Sequence, residues 1–223
     1  MRTLTKEMQA ELTPDKAVEL LSEGNKRFVN NLKINRNLLQ QVNETSDGQH
    51  PFAFILSCID SRTSAELIFD QGLGDIFSCR IAGNILNEDI LGSMEFGCQV
   101  AGSKVVVVLG HSKCGAIKGA CDGVKLGNLT TLLDKVKPAI DAEVETKEDR
   151  TAGNSKFVEN VAALNVRKTL LQITSQSQVI HQLVKDGQIA LIGAMYNVET
   201  GVVEFYDDEM ITAESLKSEM QVA

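Results

Sequence analysis

The stretch Val105-Val-Val-Val-Leu-Gly110-His111-Ser-Lys-Cys114-Gly115 decides the reading of this chain. Five apolar, mostly β-branched residues run into Gly110, and Ala116-Ile-Lys-Gly-Ala120 continues beyond Gly115. This is the pattern of a buried strand over 104–109, a tight turn and the start of a helix. In an open α/β sheet, ligands sit outside the carboxyl ends of the strands. His111 and Cys114 stand at such an end, three residues apart, and can point at one atom. Zinc accepts imidazole nitrogen and thiolate sulfur, but two ligands are too few for a tetrahedral site.

A second stretch supplies the missing donor. Pro51-Phe-Ala-Phe-Ile-Leu-Ser-Cys58-Ile-Asp60-Ser-Arg62 is again an apolar strand that ends in polar chemistry. If the two strands are neighbours in a parallel sheet, Cys58 lies beside His111 and Cys114. That makes a Cys2His set with one position open, the arrangement of a catalytic rather than a structural metal site. A lone cysteine at a strand end is ordinarily core, and a lone histidine is ordinarily a hydrogen-bonded or surface residue. Cys-x-Asp-x-Arg after one strand with His-x-x-Cys after another makes coincidence a poor explanation.

The rest of the chain sets bounds. Its 223 residues fit one α/β domain, and 43% hydrophobic residues supply a sizeable core. A formal charge of -8 disfavours nucleic acid as a partner, because no basic patch is present to neutralise phosphates. No apolar run approaches the ~18 residues of a membrane span, and Met1-Arg-Thr-Leu-Thr-Lys-Glu lacks a signal-peptide core, so no membrane partner and a cytoplasmic location are expected. Five scattered cysteines, an odd number, read as thiols or metal ligands in a reducing compartment.

Along the chain, Thr13-Pro14-Asp15 starts a helix that carries Val18, Leu21, Phe28 and Leu32 on one face. This helix precedes the first strand, so it packs either on its own core or on a partner subunit. Residues 35–50 are polar and read as a loop. Strands follow at roughly 52–57, 75–80, 104–109, 189–196 and 202–205, with helical patterns between them, and Glu199-Thr-Gly201 marks a hairpin turn. The charged run 141–150 reads as a solvated helix end or loop, and the tail after Asp207 as polar and frayed. The expected fold is α/β: a mostly parallel open sheet with an antiparallel edge strand, helices on both faces and an N-terminal helical arm. The chain divides into arm and loop (1–50), metal-binding core (51–206) and tail (207–223), all one domain.

With these motifs placed, the sequence resembles the β-class carbonic anhydrases from about Thr13 to Phe205. Cys58-Ile-Asp60-Ser-Arg62 matches the family's Cys-x-Asp-x-Arg, and Gly110-His111-Ser-Lys-Cys114-Gly115 its Gly-His-x-x-Cys-Gly. Arg80, Gly83-Asn84 and Gly193-Ala-Met-Tyr-Asn-Val-Glu-Thr-Gly-Val-Val-Glu-Phe205 support the match. The resemblance implies that Cys58, His111 and Cys114 hold one zinc per chain. It implies reversible hydration of carbon dioxide to bicarbonate and a proton by zinc-bound hydroxide. Three-histidine zinc anhydrases lower the pKa of bound water to ~7; two thiolates donate more charge and should weaken that effect. Asp60 is the natural compensation, orienting the nucleophile while Arg62 keeps it ionised; in isolation the pair would be a structural turn.

The resemblance also places Gln49, Phe77 and Phe96 around the substrate, with Gly115 beside them. Gln49 would donate to bicarbonate, and Phe77 would wall a dry pocket. Phe77 and Phe96 fit core aromatics equally well. In the family these residues come partly from a neighbouring subunit, which implies a homo-oligomer, a dimer or a dimer of dimers. The regulatory bicarbonate site of one family branch is not expected, because Ile55 stands where that branch has tryptophan. Two alternatives stay open on sequence alone. One is the same fold acting on carbon disulfide or carbonyl sulfide, and the other is a non-catalytic, zinc-stabilised bicarbonate-binding scaffold.

Overall fold

The computed structural model describes residues 3–222, with side chains as far as Lys217. Two N-terminal helices come first, α1 (Lys6–Ala10) and α2 (Pro14–Val29), each with a threonine N-cap. A short α3 (Leu38–Glu44) leads to β1 (Ala53–Ser57), α4 (Ala65–Ile68) and β2 (Ile76–Arg80). After a 3-10 turn at Ala82–Asn84 comes α5 (Glu88–Glu95), which runs into a π turn at Phe96–Val100. The central strand β3 (Val105–His111) is followed by α6 (Gly115–Cys121), α7 (Gly127–Asp134) and α8 (Lys137–Ala142). The long α9 (Ser155–Gln176) and α10 (Gln178–Lys185) precede β4 (Ala190–Tyr196), β5 (Val203–Phe205), a 3-10 turn at Asp207–Glu209 and α11 (Ala213–Val222).

The sheet order is β2-β1-β3-β4-β5, parallel except for the β4–β5 hairpin. The expected α/β architecture is what is found. Its alternation explains the sequence pattern. Phe54, Leu56, Val106, Val108 and Leu191 face one layer, built by α5, α9 and α10. Ala53, Ile55, Val105, Val107 and Ile192 face the other, built by α2 and α4. Val105, Val106, Val107 and Val108 are wholly buried, each contributing on the order of 1.5–3 kcal/mol by leaving water. A third apolar cluster sits beyond the strand ends and contains Cys58 and Cys114, with Ile117, Val136, Phe157 and Val161.

Two expectations are corrected, the loop at 35–50 and the frayed tail, and two are narrowed. Residues 35–50 are not all loop. α3 forms because Asn37 caps the Gln40 N–H and because Gln41 is buried, its Oε1 accepting the Leu73 N–H. The helix at 14–29 lies on its own sheet, with Ala17 and Leu21 wholly buried in that layer, while Leu32 lies past its end and is exposed. The tail is built into the fold: Ile211 bridges Leu191 in antiparallel fashion before α11 begins. Within the charged run, Glu143 is buried and bonded by Arg150, Thr146 and Asn160.

One buried acid gathers three donors from the arm onto the core. Asp70, in a left-handed turn (φ 46°), accepts Arg27 Nε at 2.6 Å, Arg36 Nη1 at 2.6 Å and the Ile34 N–H at 3.2 Å. Burial pushes its carboxyl up, but the two guanidinium groups outweigh this, and the net shift is downward. A lowered folded-state pKa means stability present above the unfolded aspartate value and lost as pH falls. Asp70→Asn should therefore cost about 3 kcal/mol at pH 7, since removing one partner strands buried charge. The gap to wild type should shrink below roughly pH 4. Denaturant melts at pH 7 and pH 3 check this; a constant gap would show that the charge is not what stabilises the arm.

Candidate metal centre

β1 and β3 are neighbours, with Ser57 opposite Leu109. Cys58 is the first residue past β1. His111 is the last residue of β3, paired in register with Tyr196, so the strand runs two residues further than its sequence pattern suggested. Gly110 permits this extension because a Cβ there would lie 2.6 Å from Met195 Sδ and Val166 Cγ2. Lys113 then takes a left-handed conformation (φ 56°), which turns the chain so that Cys114 opens α6.

The three donors converge. One ligand atom from each of Cys58, His111 and Cys114 lies within 4.8 Å of the others, and all three residues are buried. Cys58 Sγ and Cys114 Sγ are 3.9 Å apart. A tetrahedral ion at ~2.3 Å from two thiolates would separate them by about 3.8 Å. His111 Nδ1 lies 2.9 Å from the Ser112 carbonyl oxygen, which fixes that nitrogen as the protonated one. Nε2 is then a lone-pair donor, and it is buried without a hydrogen-bond partner among the described residues. A buried, unpartnered imidazole nitrogen beside two sulfurs fits a metal of borderline softness.

The two sulfurs, in hydrogen-bond contact, shift each other's pKa in opposite directions. The neighbouring Cys114 thiol, together with His111 and the Gly83 N–H, draws the Cys58 pKa down against burial. Cys114 is pushed up by the Cys58 sulfur and by burial.

The loop after β1 is fastened by side chains. Asp60 Oδ1 accepts the Arg62 N–H at 3.0 Å and Arg62 Nε at 2.9 Å, and Oδ2 accepts Arg62 Nη2 at 2.8 Å. These bonds to Arg62 hold the Asp60 carboxyl well below the usual carboxylate range. Arg80 Nε donates to the Cys58 carbonyl at 3.0 Å, and its Nη2 donates to the Asp60 carbonyl at 2.6 Å. The Thr63 hydroxyl reaches the same two carbonyls. Thr63 was not singled out in the sequence, although its place directly after Arg62 was the available signal.

A family model described as carbonic anhydrase matches residues 53–203. A carbonic anhydrase of Mycolicibacterium smegmatis is 33% identical over 197 residues, spanning 86% of this chain and 92% of the relative. The chain belongs to the carbonic anhydrase family. Carbonic anhydrase 2 of Mycobacterium tuberculosis is likewise 33% identical over 196 residues, spanning 84% of this chain and 90% of that one. Among solved structures, the β-carbonic anhydrase CafA of Aspergillus fumigatus superposes with a TM-score of 0.70 at 25% identity, covering 93% of this chain and 97% of the other.

Within one carbonic anhydrase chain the remaining expected residues do not join the metal donors. Gln49 is exposed and precedes β1, at the end of the strand opposite Cys58. Phe77 pairs in register with Phe54, four residues before Cys58, and packs edge-on to the half-exposed Phe96 at 6.2 Å. These rings line an open groove beside α5. A five-residue strand spans about 17 Å, too far for Gln49 to reach its own site. Gly115 is the exposed first residue of α6, and a Cβ there would meet nothing within 4 Å, so open space lies next to Cys114.

Metal binding should release protons, because a cysteine binds zinc as thiolate and the Cys114 thiol is pushed up in the metal-free protein. Calorimetric titration with zinc at pH 7 in buffers of different ionisation enthalpy measures this, and no proton release would contradict ligation by Cys114. Cys58→Ser should lose tight metal binding in a chelator competition, because a serine hydroxyl stays protonated.

Proposed function

We propose that Cys58, His111 and Cys114 hold one zinc ion and that the chain catalyses the reversible hydration of carbon dioxide to bicarbonate and a proton. The observation that carries this reading is the convergence of three buried soft donors next to an ionised Asp60–Arg62 pair. Zinc, when bound, supplies the Lewis acidity that makes a nucleophile of water near neutral pH. With the ion bound, the ionised Asp60 carboxylate would accept a hydrogen bond from the attacking oxygen without taking its proton, which would leave that oxygen's lone pair aimed at carbon. Arg62 keeps the carboxylate charged and turned toward itself, as a two-point guanidinium clamp can. Arg80 and Thr63 hold the backbone between Cys58 and Asp60, so donor and acceptor keep a fixed relation.

A second copy of the chain completes the pocket in this reading. Gln49, Phe77 and Phe96 lie on the exposed N-terminal side of the sheet and serve a neighbour's site rather than their own. The exposed aromatic groove beside the edge strand β2 supports such a contact. Five free cysteines and the absence, among the described residues, of any helix long and apolar enough to cross a membrane support a reducing, cytoplasmic setting. A purely structural metal scaffold gives no reason for the Asp60–Arg62 pair beside the donors.

Asp60→Asn should retain zinc yet lose roughly tenfold to a hundredfold in hydration rate near neutral pH, the worth of one oriented charge-assisted bond of about 1.5–3 kcal/mol. Arg62→Ala should also be impaired, without recovery as pH rises. Stopped-flow hydration with metal analysis tests both, and wild-type rates in either variant at every pH would return the pair to a structural role. Phe96→Glu should weaken self-association in sedimentation and lower activity in parallel. A stable, fully active monomer would refute the shared pocket.

A further inference from the structure

Gly83 is held from two sides. Its N–H donates to Cys58 Sγ at 3.3 Å, and its carbonyl accepts the Asn165 side-chain amide at 2.9 Å; both bonds are buried. Its φ is 71°, in the left-handed region, which glycine enters freely and leaves as freely. The backbone alone therefore does not fix the direction of this N–H. Asn165 comes from the middle of α9, on the same buried face as Val158, Val161 and Val166. It is only 4% exposed. An amide in such a face costs stability unless bonded, so its bond to Gly83 is what holds it there. A helix of 22 residues packed on the sheet is a rigid anchor for that bond.

We propose that Asn165 is a positioning residue for the metal centre: through Gly83 it aims an N–H at the Cys58 sulfur and so limits how much charge that sulfur gives to the metal. The proposal rests on the zinc reading above. Two thiolates in a donor set reduce the Lewis acidity of the ion they bind, and a hydrogen bond to one sulfur draws electron density back. Partners of this kind, one bond removed from the ligands, tune a metal site.

The test uses the cobalt(II)-substituted protein, whose thiolate-to-cobalt charge-transfer absorption reports the sulfur's donor strength. Asn165→Ala should move that band to longer wavelength. In the zinc form it should lower kcat for hydration by roughly tenfold with KM little changed. Thr169→Ala, one turn along the same buried face of α9, removes a buried side chain without touching Gly83 and should leave the band in place. Asn165→Leu, which keeps the branched side-chain shape without its hydrogen-bonding groups, replaces Asn165→Ala if that variant fails to fold, with the same band shift expected. A parent protein with a thiolate band and an Asn165 variant with an identical one would overturn the proposal. A cobalt-loaded parent with no thiolate band would overturn the metal reading itself.

Discussion

The parallel pairing of β1 with β3 places Ser57 opposite Leu109, and the chemistry of the molecule hangs on that register. It delivers Cys58 from one strand end to the side of His111 and Cys114 from the next. A slip of one residue would send every side chain of β1 to the other face of the sheet, taking Phe54 and Leu56 out of one layer and Ile55 out of the other. Both layers are closely packed, so the register is protected by the whole core rather than by the site. The donors are thus positioned by burial that has nothing to do with the metal.

Around that fixed point the structure divides its polar chemistry by depth. The sulfurs and the imidazole nitrogen lie inside, where unpartnered groups are costly and a cation is the natural partner. Asp60 and Arg62 lie at the rim, partly in water, where a carboxylate can stay ionised beside a guanidinium. Between the two, Arg80 and Thr63 bind the carbonyl oxygens of Cys58 and Asp60, so they set where the loop lies without touching the metal donors' side chains. The interior therefore has the soft donors and the rim an ionised carboxylate, joined by the three-residue segment from Cys58 to Asp60.

The sheet was legible in the sequence because its central strands are continuous apolar runs, and the donor set because its two motifs end those runs. Other parts were hidden for physical reasons. α3 buries no apolar face, since Leu38, Leu39 and Val42 are exposed; it is held through the Asn37 cap and through Gln41 and Glu44, which bond to Leu73 and Thr3. The bridge from Ile211 to Leu191 pairs residues 20 positions apart, and nothing local announces it. Gln49 and Phe77 have informative spacings from Cys58, but spacing does not say that they lie toward the other end of the strands. Asn165 was one of two polar residues, with Thr169, in an apolar helical stripe, a signal visible only once its neighbours were known to be buried.

The most direct test of this account follows activity and metal in the same sample. The purified protein is stripped with a chelator and reloaded with zinc in steps, and carbon dioxide hydration is measured by stopped flow at each step alongside zinc content by mass spectrometry. The account predicts that the rate rises in proportion to zinc and levels off at one ion per chain. A rate independent of zinc, or a fully loaded protein no faster than buffer, would contradict it.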